Sequence, residues 1–467
     1  MMQRSNCFRM KTGYRVMVWF LLLTHACAYA RYKPNILFIL ADDQGYGDLG
    51  CYGQQKIATP CIDRIASAGM TFTNCYAGST ICAPSRSVLM TGQHTGHTRV
   101  RGNMCTVGGT LGDKNGRPVR RMCLTGQDET VGHVMQRAGY RTGIIGKWHL
   151  GAYDPNAGPL DRGFDAFTGW RITVDGSSGY YPKRLVVGRE IREIAPLSDG
   201  SKPYATDLYT DEAIAFIERN KDKPFFLYLA YNNPHSPLEV PDLGPYKDKD
   251  WPQHCKIYAA MNHQLDQNVG RLMQTLEDLQ LDEKTVVFFC SDNGPRSEPT
   301  VIQTEVSEFF NSNGPLRGYK RDLYEGGIRV PMIARWPGRI PAGTRRDVPW
   351  SFTDVMATIA QLGGGDPSPQ SDGDSMVPVL LGDRQDLGDR FLYWEYFEKG
   401  FQQAVRWGRW KALILERGGP MELYNLHQDI GERNNIADQH PEIVKQIEAY
   451  LKTARSESVN WPLPEMH

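Results

Sequence analysis

Three features are missing from this 467-residue sequence, and each absence excludes a class of protein or a modification. Lys and Arg number 53 and Asp and Glu also number 53, so the formal net charge is zero. This balance excludes a strongly basic nucleic-acid binder and an acidic solvating tail as descriptions of the whole chain. No stretch reaches the roughly 20 apolar residues that a membrane-spanning helix needs. No Asn is followed two residues later by Ser or Thr, so N-linked glycans are not expected.

The first 30 residues have the pattern of an export signal. Basic residues up to Arg15 precede an apolar run from Val16 to Leu23, and Ala28-Tyr29-Ala30 matches a cleavage site. We therefore interpret residues 1–30 as a signal peptide and expect a periplasmic or extracellular protein without stable membrane insertion. The alternative is an N-terminal membrane anchor, for which the apolar run is short.

Cysteine usage is compatible with an oxidising compartment. Removal of the predicted signal leaves eight of the ten cysteines. The pairs Cys51/Cys61 and Cys105/Cys123 are conceivable disulfides, and the sequence does not decide the connectivity.

Short apolar runs alternate with helical patterns, which is typical of a parallel α/β sheet. We predict a large α/β domain over residues 31–370, with a mostly parallel central sheet flanked by helices, and a small C-terminal α+β domain over residues 371–467 with an antiparallel sheet. A polar link rich in Pro and Ser separates the two near residue 370. The predicted strands are 35–40, 142–145, 224–230, 285–290, 391–397 and 406–416. The predicted helices are 61–70, 129–138, 207–220, 254–281 and 441–455.

Polar residues follow the predicted strands at their carboxyl ends, where open α/β sheets place their sites. Asp42 and Asp43 follow the first strand, and Asp292 and Asn293 follow a later one. Carboxylate and amide oxygens suit Ca²⁺ or Mg²⁺. Any one of these residues alone is explained by a turn or a helix cap, but together they favour a metal-assisted hydrolase of an anionic substrate. Three more polar residues follow neighbouring strands: Lys147, His149 and His235.

Cys82 opens the segment Cys-Ala-Pro-Ser-Arg, in which Pro84 suits the first turn of a helix. A helix N-terminus favours an anion and lowers a thiol pKa. Arg86 adds a permanent charge with a fork that suits an oxyanion. The alternative is a buried structural cysteine.

These motifs resemble those of the type I sulfatases, which depend on formylglycine and belong to the alkaline-phosphatase-like superfamily. Residues 82–92 are similar to the first family signature and residues 139–149 to the second. Departures are Thr80, where a smaller residue is usual, and Gln93, where many members have Arg. Further similar segments occur in family order at 41–53, 232–237, 291–294, 318–331 and 423–438.

The resemblance implies the site residues and cofactors. It implies that a separate maturing enzyme oxidises Cys82 to Cα-formylglycine, and that one Ca²⁺ is held by Asp42, Asp43, Asp292, Asn293 and the modified Cys82. It implies that Arg86 steadies the hydrated aldehyde and that Lys147 and Lys320 hold sulfate oxygens. By the same resemblance, His235, with Lys320, protonates the leaving oxygen, and His149 acts as a base.

We therefore expect an arylsulfatase-like sulfuric ester hydrolase acting on a sulfated carbohydrate. Basic and aromatic residues in segments 96–128 and 170–204 are expected to rim its pocket. One alternative is a phosphodiesterase or phosphonate monoester hydrolase of the same superfamily. Another is a sulfoglycan-binding protein without turnover, which requires that Cys82 stay unmodified.

Overall fold

The computed structural model describes residues 33–114, 116–151, 153–154, 156–170, 179–297 and 301–465. The predicted signal peptide lies outside these ranges. Within them the strands are β1 (Asn35–Asp42), β2 (Met70–Tyr76), β3 (Thr110–Lys114), β4 (Arg117–Arg121), β5 (Arg141–Lys147), β6 (Ala166–Trp170), β7 (Arg184–Val187), β8 (Glu190–Glu193), β9 (Phe225–Pro234), β10 (Thr285–Ser291), β11 (Arg329–Arg335), β12 (Thr344–Arg346), β13 (Trp350–Ser351), β14 (Phe391–Tyr396), β15 (Gln402–Trp407), β16 (Trp410–Ile414) and β17 (Met421–Asn425).

The α-helices are α1 (Pro60–Ser67), α2 (Cys82–Thr91), α3 (Val131–Arg137), α4 (Ala205–Asn220), α5 (Gln253–Asp278), α6 (Val301–Phe310), α7 (Glu325–Ile328), α8 (Thr353–Leu362), α9 (Val377–Leu380) and α10 (Pro441–Leu451). Among the described residues, no helix combines the length and the apolar character that a membrane crossing requires.

The central sheet is mixed and mostly parallel, as predicted. Its strand order is β12-β2-β11-β10-β1-β9-β5-β6-β7-β8, with β13 beside β2. The five strands β10, β1, β9, β5 and β6 run parallel to one another, whereas β11 runs antiparallel to β10 and to β2, and β7 runs antiparallel to β6. A parallel sheet of this kind is covered on both faces.

The sequence of β1 shows why both faces are covered. Every residue from Asn35 to Asp42 is buried. Successive side chains of a strand point to opposite faces. Leu37 and Ile39 join the core layer that contains α1, α4 and α5, whereas Phe38 and Leu40 join the layer that contains α2, α3 and α8.

The small C-terminal sheet is antiparallel, as predicted, with strand order β14-β15-β16-β17. One face carries Val405 and Leu423 and packs against α10. The other carries Ala404 and Leu413 and packs against Tyr76 of the central sheet. The two sheets therefore share a buried apolar seam.

Two predicted elements are wrong in detail. The predicted strand 406–416 is part of a hairpin, because Gly408 adopts a φ of 54° and reverses the chain between β15 and β16. The predicted helix 61–70 ends at Ser67, and Met70 already belongs to β2. Gly69 lies so close to the backbone of β11 that a Cβ would be 2.3 Å from the Ala334 oxygen. Strands β2 and β11 are not among the predicted strands.

The eight cysteines from Cys51 to Cys290 are all free thiols. The conceivable pairs Cys51/Cys61 and Cys105/Cys123 are therefore not disulfides in this structure.

Candidate active site

Parallel pairing of β1 and β10 brings two pairs of site residues side by side. Ala41 is in register with Ser291, so Asp42 and Asp43 leave the sheet next to Asp292 and Asn293. All four are at most 2% exposed. The Asp43 backbone N–H donates to Asp292 Oδ1 at 3.2 Å, and Asn293 Nδ2 donates to Asp43 Oδ1 at 2.8 Å.

The start of α2 places Cys82 against this group. Its Sγ lies 3.5 Å from Asp42 Oδ1 and 4.0 Å from Asp43 Oδ1, and Lys320 Nζ donates to it at 3.2 Å. Burial raises the pKa of the Cys82 thiol to about 12, although Lys147 and Lys320 oppose this. The expectation that the helix N-terminus lowers this pKa is therefore wrong, because desolvation outweighs the nearby cations.

Three cations surround the carboxylates. Arg86 donates to Asp292 Oδ2 through Nε and Nη2, and its Nη1 donates to the Lys147 carbonyl at 3.0 Å. Lys147 Nζ lies 2.5 Å from Asp42 Oδ2, and Lys320 Nζ pairs with Asp43 Oδ1. All three cations are at most 4% exposed.

The carboxylates are held in different electrostatic states. Burial alone would raise the pKa of Asp43, but the positive charge of Lys320, with smaller effects of His235 and Lys147, lowers it well below its usual range. Burial and then the charge of Asp42 raise the pKa of Asp292, against the effect of Arg86. A further positive charge close to Asp292 would favour its ionised form.

The oxygens present fit a hard cation. Asp43 Oδ2 and Asn293 Oδ1 are buried and have no hydrogen-bond partner among the described residues. Ligand atoms of Asp42, Asp43, Cys82 and His235 lie within 4.8 Å of one another. Buried oxygens without donors cost free energy unless something satisfies them, and a cation that prefers oxygen ligands does so.

His149 follows β5 in a left-handed conformation, with φ of 64°. Arg121 Nη1 lies 3.2 Å from its Nε2. Because a guanidinium can only donate, Nε2 accepts and the ring proton is on Nδ1, which is buried without a partner among the described residues. Burial, followed by Lys147 and Arg121, lowers the pKa of His149 well below its usual value.

His235 follows β9 on the other side of Asp43. Its Nδ1 lies 2.6 Å from the Ser236 carbonyl and therefore donates, so Nε2 has the lone pair and lies 3.5 Å from Asp43 Oδ2. Burial lowers the pKa of His235 to about 3, with Asp43 opposing and Lys320 adding to the effect. The ring is therefore neutral in this arrangement.

The structure brings every predicted site residue to one place, while the chemical roles stay predictions. Arg121 is an addition, since sequence reasoning assigned it only to a basic rim. It lies at the end of the β3–β4 hairpin, is 7% exposed, and donates to the Asn103 carbonyl. Asn103 in turn accepts from the N–H of Ala83 at the start of α2. The sequence signal that pointed to Arg121 was its position among the basic residues of segment 96–128.

The predicted rim segment 170–204 is described only in part, because residues 171–178 lie outside the described ranges.

A second group of possible metal ligands among the described residues is formed by His94, His97 and Asp372. His97 Nδ1 lies 2.9 Å from Asp372 Oδ1. The Gly96 N–H donates to His94 Nδ1, so the proton of the neutral ring is on Nε2, the atom nearer Asp372. This arrangement favours a hydrogen-bonded cluster over a metal site.

The mostly parallel sheet, the acidic site at its strand ends and the antiparallel C-terminal sheet together define a hydrolase of the alkaline-phosphatase-like class. The family model described as Sulfatase matches residues 34–365. The chain therefore belongs to the sulfatase family, whose members hydrolyse sulfuric esters. A second family model, described as N-sulphoglucosamine sulphohydrolase, C-terminal, matches residues 318–457.

Named relatives cover most of the chain. N-acetylgalactosamine-6-sulfatase of Canis lupus familiaris is 33% identical over 425 residues, which are 86% of this chain and 75% of that protein. N-acetylgalactosamine-6-O-sulfatase of Bacteroides thetaiotaomicron is 29% identical and covers 91% of this chain and 93% of its own length.

Solved structures show the same fold. Ps i-CgsB in complex with k-i-k-neocarrahexaose has a TM-score of 0.77 and 30% sequence identity, and it covers 91% of this chain and 94% of its own. Phosphonate monoester hydrolase of Agrobacterium radiobacter has a TM-score of 0.65 at 20% identity over 90% of this chain and 95% of its own, which supports the fold alone.

Proposed function

We propose that this sulfatase cleaves sulfate monoesters of carbohydrates, with Cys82 converted to Cα-formylglycine and one Ca²⁺ held by Asp42, Asp43, Asp292 and Asn293. The observation that carries the proposal is a pair of buried oxygens, Asp43 Oδ2 and Asn293 Oδ1, that have no hydrogen-bond partner within the described part of the chain and lie where Cys82 begins α2.

Formylglycine at position 82 would be a better nucleophile in this buried site than the cysteine thiol. A hydrated formylglycine supplies a hydroxyl as nucleophile toward sulfur, on a carbon that bears a second hydroxyl. The thiol itself has a pKa near 12 because it is buried, so it is neutral and a poor nucleophile. The conversion needs a separate maturing enzyme as a partner.

The cations of the site are placed for an oxyanion. A Ca²⁺ ion supplies a Lewis acid that stabilises negative charge on the transferring group. Lys147 and Lys320 now neutralise Asp42 and Asp43. With the carboxylate oxygens engaged as metal ligands, the ammonium groups of Lys147 and Lys320 would be available to bind sulfate oxygens. Arg86 stays on Asp292 and holds that carboxylate in place.

The two histidines move protons at different atoms. Nε2 of His149 accepts a hydrogen bond from Arg121, so this atom would take up a proton only once that hydrogen bond is broken. The positive charge of Arg121 would then favour release of the proton. His235 Nε2 is unprotonated beside Asp43, so its service as a general acid requires that it first gain a proton. Against the effect of burial, Asp43 raises the pKa of Lys320 well above its usual value, so Lys320 keeps its proton. The His235 side chain is 30% exposed, so its proton comes from solvent.

A carbohydrate is the substrate class that the relatives favour. Two relatives are named for N-acetylgalactosamine sulfate, and the solved structure of Ps i-CgsB contains an oligosaccharide. Arg121 gives the rim beside His149 a buried guanidinium that suits an anionic sugar.

The division into domains and the export of the chain also stay proposals. The antiparallel sheet starts at Phe391, whereas residues 376–380 pack in the core layer that contains α2, α3 and α8, so the boundary near residue 370 stays a proposal. The second family model begins at residue 318 and therefore includes Lys320 of the candidate active site. The region that this model describes thus overlaps the predicted catalytic domain. Signal-peptide removal near Arg31 predicts a mature protein outside the cytoplasm.

The mass of the peptide that contains Cys82 tests the proposal. Conversion of the thiol to the aldehyde removes about 18 Da. Protein made with a maturing enzyme should show this loss and release sulfate from a sulfated sugar. Release of sulfate by protein in which Cys82 has an unaltered mass would contradict the proposed nucleophile.

A further inference from the structure

A separate cavity lies at the seam between the central sheet and the small antiparallel sheet. Its volume is about 640 Å³, within the range of roughly 300–1,000 Å³ that is typical of ligand pockets. Residues 345–349 around β12 form one wall, and residues 406–410 of the β15–β16 hairpin form another. It shares no lining residue with the candidate active site.

Arg406 in β15 is the central feature of this cavity. It lines the cavity and is 2% exposed. Ala404, two residues earlier in the strand, packs toward the central sheet, so Arg406 faces the same way. Its Nε and Nη1 find no hydrogen-bond partner among the described residues. Buried donors without acceptors cost free energy, and an acceptor that enters the cavity removes this cost.

The buried charges around Arg406 are mainly positive, which favours the binding of an anion. Arg406 lies directly opposite Lys411 in the register of β15 and β16, and like charges in that relation repel. Lys411 pairs with Glu325 at 3.0 Å and Glu432 at 3.2 Å, and Arg329 shares Glu325 at 3.1 Å. The charge of Arg406 also acts on Glu325, so among the described residues two buried carboxylates are shared by three buried cations and the group has an excess of positive charge.

The rest of the lining suits an acidic ligand larger than a simple ion. Five arginines and three aspartates line the cavity, so its charge is positive. Arg390 is already paired with Asp354, but Arg345 and Arg409 are exposed, and Arg346 Nε is buried without a partner among the described residues. Guanidinium forks match sulfate or carboxylate oxygens. Trp407, partly buried on the same wall, offers a ring face of the kind that stacks on sugars.

We propose that this cavity is a second carbohydrate-binding site, in which the sulfate group of a sulfated saccharide contacts Arg406. The proposal rests on the proposed function only in the choice of a sulfated saccharide as ligand. Free inorganic sulfate, the product of the reaction, has the same oxyanion chemistry, and the experiment below separates the two.

Binding is measured by calorimetric titration of the Cys82→Ala protein, which prevents turnover, with a chondroitin 6-sulfate hexasaccharide. We expect two binding events, one of which weakens at least tenfold when Arg406→Gln is added. Because a buried substitution can also disturb the fold, the exposed pair Arg345→Ala/Arg409→Ala tests the same site from the rim. Arg64→Ala, which removes an exposed charge from α1, is the matched control and should retain both events.

A single binding event in the Cys82→Ala protein, or equal binding in the rim pair and the control, would overturn the proposal. Inorganic sulfate that binds the cavity as tightly as the hexasaccharide would overturn the saccharide assignment, whereas loss of the second event with unsulfated chondroitin supports it. Aryl sulfate hydrolysis by the unaltered chain and by the rim pair should be equal. If neither protein hydrolysed the aryl sulfate, the proposed function would be contradicted, whereas the conclusion about binding in the cavity would be unaffected.

Discussion

Arg86 donates two hydrogen bonds to a single oxygen of Asp292, at 2.9 Å from Nε and 2.7 Å from Nη2. The pair joins the first turns of α2 to the end of β10, and both side chains are at most 1% exposed. A buried ion pair of this kind fixes the relative positions of its two side chains, because loss of one partner leaves the other as an uncompensated charge. It thereby fixes the helix that presents Cys82 relative to the strand that presents Asp292 and Asn293.

Substitution Cys82→Ala should abolish hydrolysis of every sulfate ester while the protein stays folded. The side chain is small, and its loss should change the free energy of unfolding by only about 1 kcal/mol. Turnover and urea unfolding are measured on the same preparation. Cys105→Ala, which removes a buried thiol away from the acidic site, should retain activity. Full activity in Cys82→Ala would end the covalent mechanism.

Metal analysis should find one Ca²⁺ per chain, and Asp292→Asn should lose it. Oxygen ligands favour this ion over zinc. Asp48→Asn is the matched control, since Asp48 is equally buried but bonds to the Gly45 N–H and the Tyr258 hydroxyl. Two zinc ions per chain would contradict the prediction and favour phosphate ester hydrolysis.

The enzyme should prefer a sulfated sugar over the matching phosphate by at least about 100-fold in kcat/KM, which is ~2.7 kcal/mol of transition-state preference. Arg86, Lys147 and Lys320 attract both anions, so their charge does not choose. The choice is expected from the nucleophile, since release of sulfate by carbon–oxygen cleavage needs no second attack on sulfur. Kinetics on paired esters test this, and equal kcat/KM values would contradict it.

The variant His235→Ala should lose more rate on sugar sulfates than on activated aryl sulfates, because a poor leaving group depends more on protonation. The comparison of kcat on the two substrate types measures this directly. Because His235 is neutral beside Asp43, its protonation state in the structure does not itself indicate an acid role, and the kinetic comparison tests that role directly. Equal losses on both substrates would remove His235 from the acid role and leave Lys320 as the general acid.

Stability should depend on pH through Glu432. Burial raises the pKa of Glu432 from 4.5 to about 7, with Lys411 opposing and Glu325 adding to the effect. Between pH 4.5 and about 7, the unfolded chain releases a proton that the folded protein keeps, so the free energy of unfolding falls as pH rises. The pKa of Glu325 is lowered to about 2, against the effect of burial and chiefly by Lys411, so its contribution is already complete above pH 4.5.

Glu432→Gln should therefore flatten the fall in stability over this pH window relative to the unaltered chain. Urea unfolding at several pH values between 4.5 and 7 measures the difference. The exposed Glu416→Gln should follow the unaltered chain. Parallel curves for all three proteins would show that Glu432 titrates normally.

Local sequence was sufficient for the fold class, whereas the site residues were predicted from the strand ends together with the resemblance to the type I sulfatases, and their roles stay predictions. A short run such as Ile36–Leu40 is apolar at every position, which is typical of a strand covered on both faces. The carboxyl ends of parallel strands meet at one edge, so the residues after them had to be neighbours. The hairpin at Gly408 was missed because two short strands joined by a tight turn have the same apolar pattern as one longer strand.

Other properties depend on contacts between residues distant in the chain. The pKa of Cys82 follows from burial against Asp42 and Asp292, which no pattern near Cys82 reports. Arg121 reaches His149 only through the β3–β4 hairpin, and Arg406 shares the carboxylate of Glu325 with Arg329 and Lys411. Burial and charge balance are sums over neighbours in space, whereas a sequence specifies neighbours along the chain, and for this reason these properties became visible only in the folded protein.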